Sequence, residues 1–171
     1  AYVKTNGTTD ELSSSTSGIT DGKWHHVALV YDQDGDKTGA THNQQLWLDG
    51  KLIDTNTSTG TIPIGASPLY IGARYSLTNF GDGEIDEVRY WSVARTPAQI
   101  RADMFEKGTL ASATGLIGRW QFNEGTGSVA VCSDTDLNGT IYSYSTGSNV
   151  ALTAAWAGVG TFTRGTSTLK M

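Results

Sequence analysis

Cysteine is nearly absent from this chain. Cys132 is the only one in 171 residues, which excludes an internal disulfide framework. A lone cysteine of this kind reads as a small buried apolar residue. Charge is scarce too, at 17% of residues, with 12 basic side chains against 17 acidic ones. The net charge of −5 leaves no basic footprint and argues against nucleic acid as a partner. No run of about 18 apolar residues occurs, so no helix is expected to span a membrane. No leader peptide is recognisable. The chain opens on "AYVK", which already reads as strand, so Ala1 is expected not to be the natural start.

What the chain does contain is glycine, 21 residues of it, with Ser and Thr in nearly every connection. That is the texture of an extracellular β protein rich in turns. The length suits one domain with room for a small appendage, enough to bury a core without staples. Short β-rich runs recur at Ala1–Thr5, Trp24–Tyr31, Gln45–Leu48, Lys51–Asn56, Leu69–Ala73 and Ile85–Ser92. Others follow at Leu116–Phe122, Thr140–Tyr144 and Gly160–Thr163. Such spacing predicts a sandwich or barrel. "LWLDGKLIDT" is the clearest hairpin, with Asp49-Gly50 supplying the positive φ angles of a tight turn. One helix stands out, over about residues 96–107. Thr96 caps it, Pro97 fits its first position, Gln99 completes a capping box and Gly108 ends it. Ile100, Met104 and Phe105 make its apolar stripe, expected to cover one end of the sandwich.

Four kinds of residue invite a functional reading. "GDGEIDEVRYW" (81–91) holds Asp82, Glu84, Asp86 and Glu87; strand alternation would set Glu84, Asp86 and Val88 on one face. The plain alternative is that Asp86 or Glu87 pairs with Arg89, a His or backbone donors and fixes the strand. His25 and His26 are neighbours in a predicted strand, so they face opposite sides and do not share a metal; the buried one is expected to be hydrogen-bonded. "DQDGD" (Asp32, Asp34, Asp36) and "DTDLNG" (Asp134, Asp136, Asn138) place oxygen ligands at alternate positions, as calcium prefers. Their twelfth positions are Asn43 and Ser145, which excludes an EF-hand; solvated turn carboxylates are the ordinary alternative. Among the aromatics, Trp24, Trp47 and Trp120 are expected in the core. Tyr75 and Phe80, beside Arg74, Asn79 and Asp82, offer rings with a polar rim that suits a sugar. Asn6, Asn56 and Asn138 lie in glycosylation sequons, which matter only in a secretory host.

"DGKWHHVALVYD", "LWLDGKLI", "PLYIGAR" and "GEIDEVRYWSVARTPAQI" follow one another as in laminin-G-like domains of the concanavalin A-like jelly-roll superfamily, which this chain resembles over about Thr20 to Asp103. "GLIGRWQFNEGTGS" with "DTDLNGTI" is similar to strands of the same superfamily. The resemblance implies an all-β, antiparallel jelly-roll sandwich with one short helix. It implies extracellular recognition or adhesion more often than catalysis. It also implies calcium as the one candidate cofactor, since calcium-binding loops occur in the superfamily. Laminarinase-type glycosidases of this fold carry a Glu-x-Asp-x-Glu pattern on one strand. Glu84-Ile85-Asp86 matches its start, but the acid/base position is Val88, or Arg89 in the longer form. A retaining mechanism needs two carboxyl groups about 5 Å apart, so catalysis is not expected.

One departure stands out: only about twenty residues precede the "DGKWHHV" run, where the family usually has several strands. Residues 1–115 are read as the laminin-G-like module. Residues 116–171 are read as a β segment that completes the sandwich or packs on a neighbouring subunit. The expected function is a non-catalytic module outside the cell, binding glycan or protein. The other reading is a structural subunit of a larger assembly of such units: a surface fibre, a layer or a virion decoration, with copies of itself as partners.

Overall fold

The computed structural model describes residues 2–5, 8–11, 19–32, 44–57, 70–71, 84–124, 129–133, 139–144, 149–156 and 159–164. They form twelve strands and one helix. By their contacts they divide into two compact units, Ala1–Ile64 with Trp91–Gly115, and Gly65–Tyr90 with Leu116–Met171.

In the first unit, β1 (Tyr2–Thr5) pairs antiparallel with β2 (Thr8–Glu11). A three-stranded antiparallel sheet runs β3 (Val27–Tyr31), β4 (Gln44–Leu48), β5 (Lys51–Asn56). Leu48 faces Lys51 across a two-residue turn, and Asp49 and Gly50 carry φ of 48° and 73°. This is the primed hairpin turn that Asp-Gly favours, because its twist matches that of the flanking strands. A Cβ on Gly50 would sit 2.9 Å from Arg101 Cγ, so the position needs glycine for space as well as for φ. Val30 and Trp47 share one face of the sheet and bury against Ile100 of the helix, each 5% exposed, with Ala28 and Ala94 alongside. The indole N–H of Trp47 donates to Gln45 Oε1 at 3.0 Å.

The helix, α1 (Pro97–Asp103), starts as expected. Thr96 accepts from the N–H of Gln99, and Gln99 reaches back to the N–H of Thr96 at 2.9 Å. Its end differs from the expectation. The helix stops at Asp103, not near 107, because Asp103 is drawn into the interior. Its carboxylate pairs with Arg95 and accepts the Ala111 N–H at 2.9 Å. Arg95 in turn lies 4.0 Å over the Trp91 ring. The expected stripe is correspondingly reduced: Ile100 is buried, but Phe105 is 63% exposed.

The second unit holds β6 (Tyr70–Ile71), β7 (Val88–Trp91, whose last residue falls in the first unit), β8 (Leu116–Trp120), β9 (Val129–Ala130), β10 (Gly139–Tyr144), β11 (Asn149–Trp156) and β12 (Val159–Arg164). Five of them form a sheet in the order β6-β12-β11-β10-β9, and β7 pairs with β8. β12 lies antiparallel to β11 and parallel to β6, and meets β10 at Ile141–Phe162. The predicted strand Gly160–Thr163 falls within β12 and thus sits inside this sheet. The core gathers Trp120, Ala130 and Cys132, with Ile71, Ile85, Val88 and Phe122 against it. Cys132 is buried and in no disulfide, as expected, and its Sγ accepts the Arg119 N–H at 3.3 Å. Gly118 has no room for a side chain, since a Cβ would come within 2.7 Å of the Trp120 ring.

Candidate functional site

Two polar clusters are built from residues far apart in sequence. The first lies where the chain enters β3. Gly22, at φ 77°, turns the backbone so that Asp21 folds back on His25. Asp21 Oδ1 lies 3.0 Å from His25 Nε2, and Lys23 Nζ pairs with Oδ2 at 2.9 Å. The other imidazole nitrogen, Nδ1, lies 2.8 Å from Asp49 Oδ2 in the β4–β5 turn. The His26 N–H donates to Asp49 Oδ1 at 2.8 Å, and the Asp49 N–H donates to the His26 carbonyl at 2.8 Å. Asp49 therefore shapes the hairpin and ties it to the start of β3.

A carboxylate on each ring nitrogen raises the His25 pKa, Asp49 first and Asp21 second. Asp21 is held well below the usual carboxylate range by its His25 and Lys23 hydrogen bonds. For Asp49, burial pushes upward, but the His25 and His26 hydrogen bonds outweigh it and the net shift is downward. A protonated imidazole between two carboxylates is the arrangement these shifts describe. Its ring nitrogens are both occupied, so it works as a clamp. The sequence signals that could have found it are the Asp21–His25 spacing and the Asp-Gly turn; neither shows that the two meet.

The second cluster answers the question posed by the carboxylate run. Residues 84–87 are not strand, and Glu87 has φ 54°. The alternation expected for Glu84, Asp86 and Val88 therefore breaks before β7 begins. Val88 packs against the Trp120 core. Glu87 Oε2 takes Arg89 Nη2 at 3.1 Å and Arg119 through Nε at 2.9 Å and Nη2 at 2.8 Å; Oε1 accepts from Gln121 Nε2 at 3.0 Å. The pairing of Glu87 with Arg89 matches the plain reading of the sequence. Arg119 and Gln121 were missed as partners, although both sit on the polar side of the alternating "LIGRWQF" run. The cluster joins β7 to β8.

The remaining sequence candidates fare differently. Trp47 and Trp120 are buried, but Trp24 is 43% exposed. It precedes β3 in residues that are not strand, so strand periodicity does not govern it. Asp32 follows β3 and is 5% exposed. Asp34, Asp36, Asp134, Asp136 and Asn138, and the ring-bearing loop with Arg74, Tyr75, Asn79, Phe80 and Asp82, lie outside the described residues. Among the described residues, no group of three or more His, Cys, Asp or Glu side chains is placed to hold a metal ion, and no helix is long and apolar enough to cross a membrane.

Comparison with known proteins agrees with the architecture. Residues 1–101 match a laminin G family model described as the concanavalin A-like lectin/glucanases superfamily. Neuronal pentraxin-2 of Cavia porcellus is 26% identical over 100 residues, covering 53% of this chain and 22% of the pentraxin. The neuronal pentraxin receptors of Rattus norvegicus and Homo sapiens are each 25% identical over 100 residues, covering 53% of this chain and 19% of theirs. The chain thus spans about a fifth of the length of these curated relatives. No solved structure gives a match. With strands throughout, one short capped helix and a family match over more than half its length, the chain belongs to the concanavalin A-like lectin/glucanase superfamily, through a laminin-G-like domain.

Proposed function

We propose that this chain is a non-catalytic recognition or adhesion module that works outside the cell and takes glycan or protein as its ligand. The observation that carries this reading is how the carboxylate run is used. Where a laminarinase-type enzyme would need its acid/base, this chain has Val88 packed against the Trp120 core. The neighbouring Glu87 is engaged by Arg89, Arg119 and Gln121. A reducing-sugar assay on laminarin, lichenan and carrageenan should show no turnover. Turnover abolished by Glu84→Gln overturns the non-catalytic reading.

Calcium is proposed as a stabilising ion of the two Asp-rich loops. The donor set is all oxygen, which hard cations take. Asp32, buried and anchored at the end of β3, would be the fixed ligand, with Asp34 and Asp36 completing one set and Asp134, Asp136 and Asn138 the other. Residues 116–171 are proposed to complete the sandwich. The placement of β12 beside β6 and of β8 beside β7 supports this.

An assembly subunit is the second reading. It is favoured by β3, which among the described residues has one neighbouring strand and exposes Val27 and Leu29 at 40% and 42%. Open apolar edges pair with other chains. A particle-size measurement beside a glycan array separates the two: polymers without glycan binding favour assembly.

A further inference from the structure

His25 is hydrogen-bonded through both ring nitrogens, to carboxylates of two different turns. Nδ1 lies 2.8 Å from Asp49 Oδ2 in the β4–β5 turn, and Nε2 lies 3.0 Å from Asp21 Oδ1 in the bend before β3. Ionised carboxylates only accept hydrogen bonds, and a neutral imidazole carries a single N–H. Both bonds therefore exist together only while the ring is protonated. Once it loses a proton, a bare nitrogen lone pair faces a carboxylate oxygen, and that contact turns repulsive. The two carboxylates are not equally anchored. Asp49 Oδ1 accepts the His26 N–H, and the Asp49 N–H donates to the His26 carbonyl, both at 2.8 Å. The helix α1 also lies against this turn, since a Cβ on Gly50 would sit 2.9 Å from Arg101 Cγ and 3.2 Å from Met104 Sδ. The other Asp21 side-chain bonds among the described residues run to the Lys23 N–H and Nζ, both at 2.9 Å. They lie within the bend itself, in residues that are not strand, and travel with it.

We propose that His25 is a proton-operated latch: protonated, it holds the Asp21–Lys23 bend onto the β4–β5 hairpin; neutral, it keeps Asp49 and releases Asp21. The proton that remains sits on Nδ1, because the hydrogen bonds of the ring nitrogens set the tautomer and the Asp49 side is the anchored one. The charged groups around the ring are Asp49 from the hairpin, Asp21 and Lys23 from the bend and the neighbouring His26, with Arg101 of α1 against Gly50. Closed, the set of Asp21, Lys23, His25 and Asp49 has two positive and two negative groups and no net charge; open, it carries one negative charge. Asp49 first and Asp21 second lift the ring above its ordinary 6.5, so the latch opens on the alkaline side of that value. A ligand that approaches this part of the first unit thus meets a closed, neutral cluster in mildly acid surroundings and an open, acidic one above them.

The test follows the nitrogen-15-labelled full chain by NMR between about pH 5 and about pH 9, as the parent and as Asp21→Asn. Asparagine removes the charge and offers an amide N–H that can donate to a neutral Nε2, so this variant keeps the latch shut. In the parent, the His25 ring should show both nitrogens protonated in acid and Nδ1–H alone above its midpoint. Through that same midpoint the backbone order parameters of Gly22 and Lys23 should fall from about 0.85 to below about 0.6, while those of His26 and Asp49 hold. In Asp21→Asn all four should hold throughout. A proton left on Nε2 overturns the latch, as does a bend indifferent to pH. Loosening of His26 and Asp49 along with the bend overturns it too, because the release is then not one-sided. A parent midpoint at or below 6.5 removes the two-carboxylate bridge on which it stands. An Asp21→Asn chain that opens like the parent shows that the carboxylate charge is not what drives the bend away, and overturns it as well.

Discussion

Arg119 grips Glu87 across the β7–β8 pair, with Nε and Nη2 both on the same carboxylate oxygen at 2.9 and 2.8 Å. Arg89 reaches that oxygen as well, and the side chains of Glu87, Arg119 and Arg89 are 11%, 8% and 9% exposed. Removing the carboxylate takes a shared counter-charge from two guanidiniums in poorly solvated positions. Breaking a buried pair in this way typically costs about 3–5 kcal/mol, more than the net worth of the pair, because the remaining charges keep their desolvation penalty. Glu87→Ala is therefore expected to be strongly destabilised in urea unfolding at neutral pH. A loss below about 1 kcal/mol, the scale of a surface pair, would mean that the cluster is solvated in solution.

Trp47 and Trp24 make a matched contrast. Trp47→Ala empties a site shared with Val30 and Ile100 and should cost about 3–5 kcal/mol. Trp24→Ala, at 43% exposure, loses only the covered part of its ring and should cost clearly less, about 1–2 kcal/mol. Thermal melts of both variants decide it; equal losses would place Trp24 in the core after all.

The His25 clamp predicts a pH dependence of definite sign. Its folded pKa lies above the ordinary value of 6.5. The stability it adds is therefore complete below about pH 6.5, and is lost as pH rises through the folded pKa. Asp21 and Asp49 are shifted down from 3.8; their contribution is present above that value and disappears in acid. Parent and His25→Gln melts should accordingly differ most near pH 5–6 and converge toward pH 9. A gap that widens with rising pH contradicts the clamp.

Truncation after Gly115 removes β8 from β7 and β12 from β6. The strand edges so exposed would seek partners on other chains. Residues 1–115 are expected to aggregate on expression or to melt well below the full chain, as followed by size-exclusion chromatography and circular dichroism. A soluble, monomeric and equally stable fragment would make residues 116–171 a mere appendage.

Calcium at a hundredfold excess over its dissociation constant should raise stability by about 2.7 kcal/mol if it binds the native state alone. Melting with calcium and then with chelator measures this. Identical midpoints would leave Asp32–Asp36 and Asp134–Asn138 as ordinary turns.

Local chemistry in the sequence determined the Asp49-Gly50 hairpin and the Thr96–Pro97–Gln99 helix start, because turns and caps are made by residues within three or four positions of one another. Their places in predicted strands likewise marked Trp47 and Trp120 as core, and the family motifs marked the fold. Tertiary structure alone decided that the helix ends at Asp103, where a side chain is pulled inward by Arg95 and Ala111. It alone set Trp24 outside the sheet, gave Glu87 its Arg119 partner and joined His25 to Asp49. Burial and ion pairing depend on what packs across from a residue, and that neighbour is often dozens of positions away along the chain.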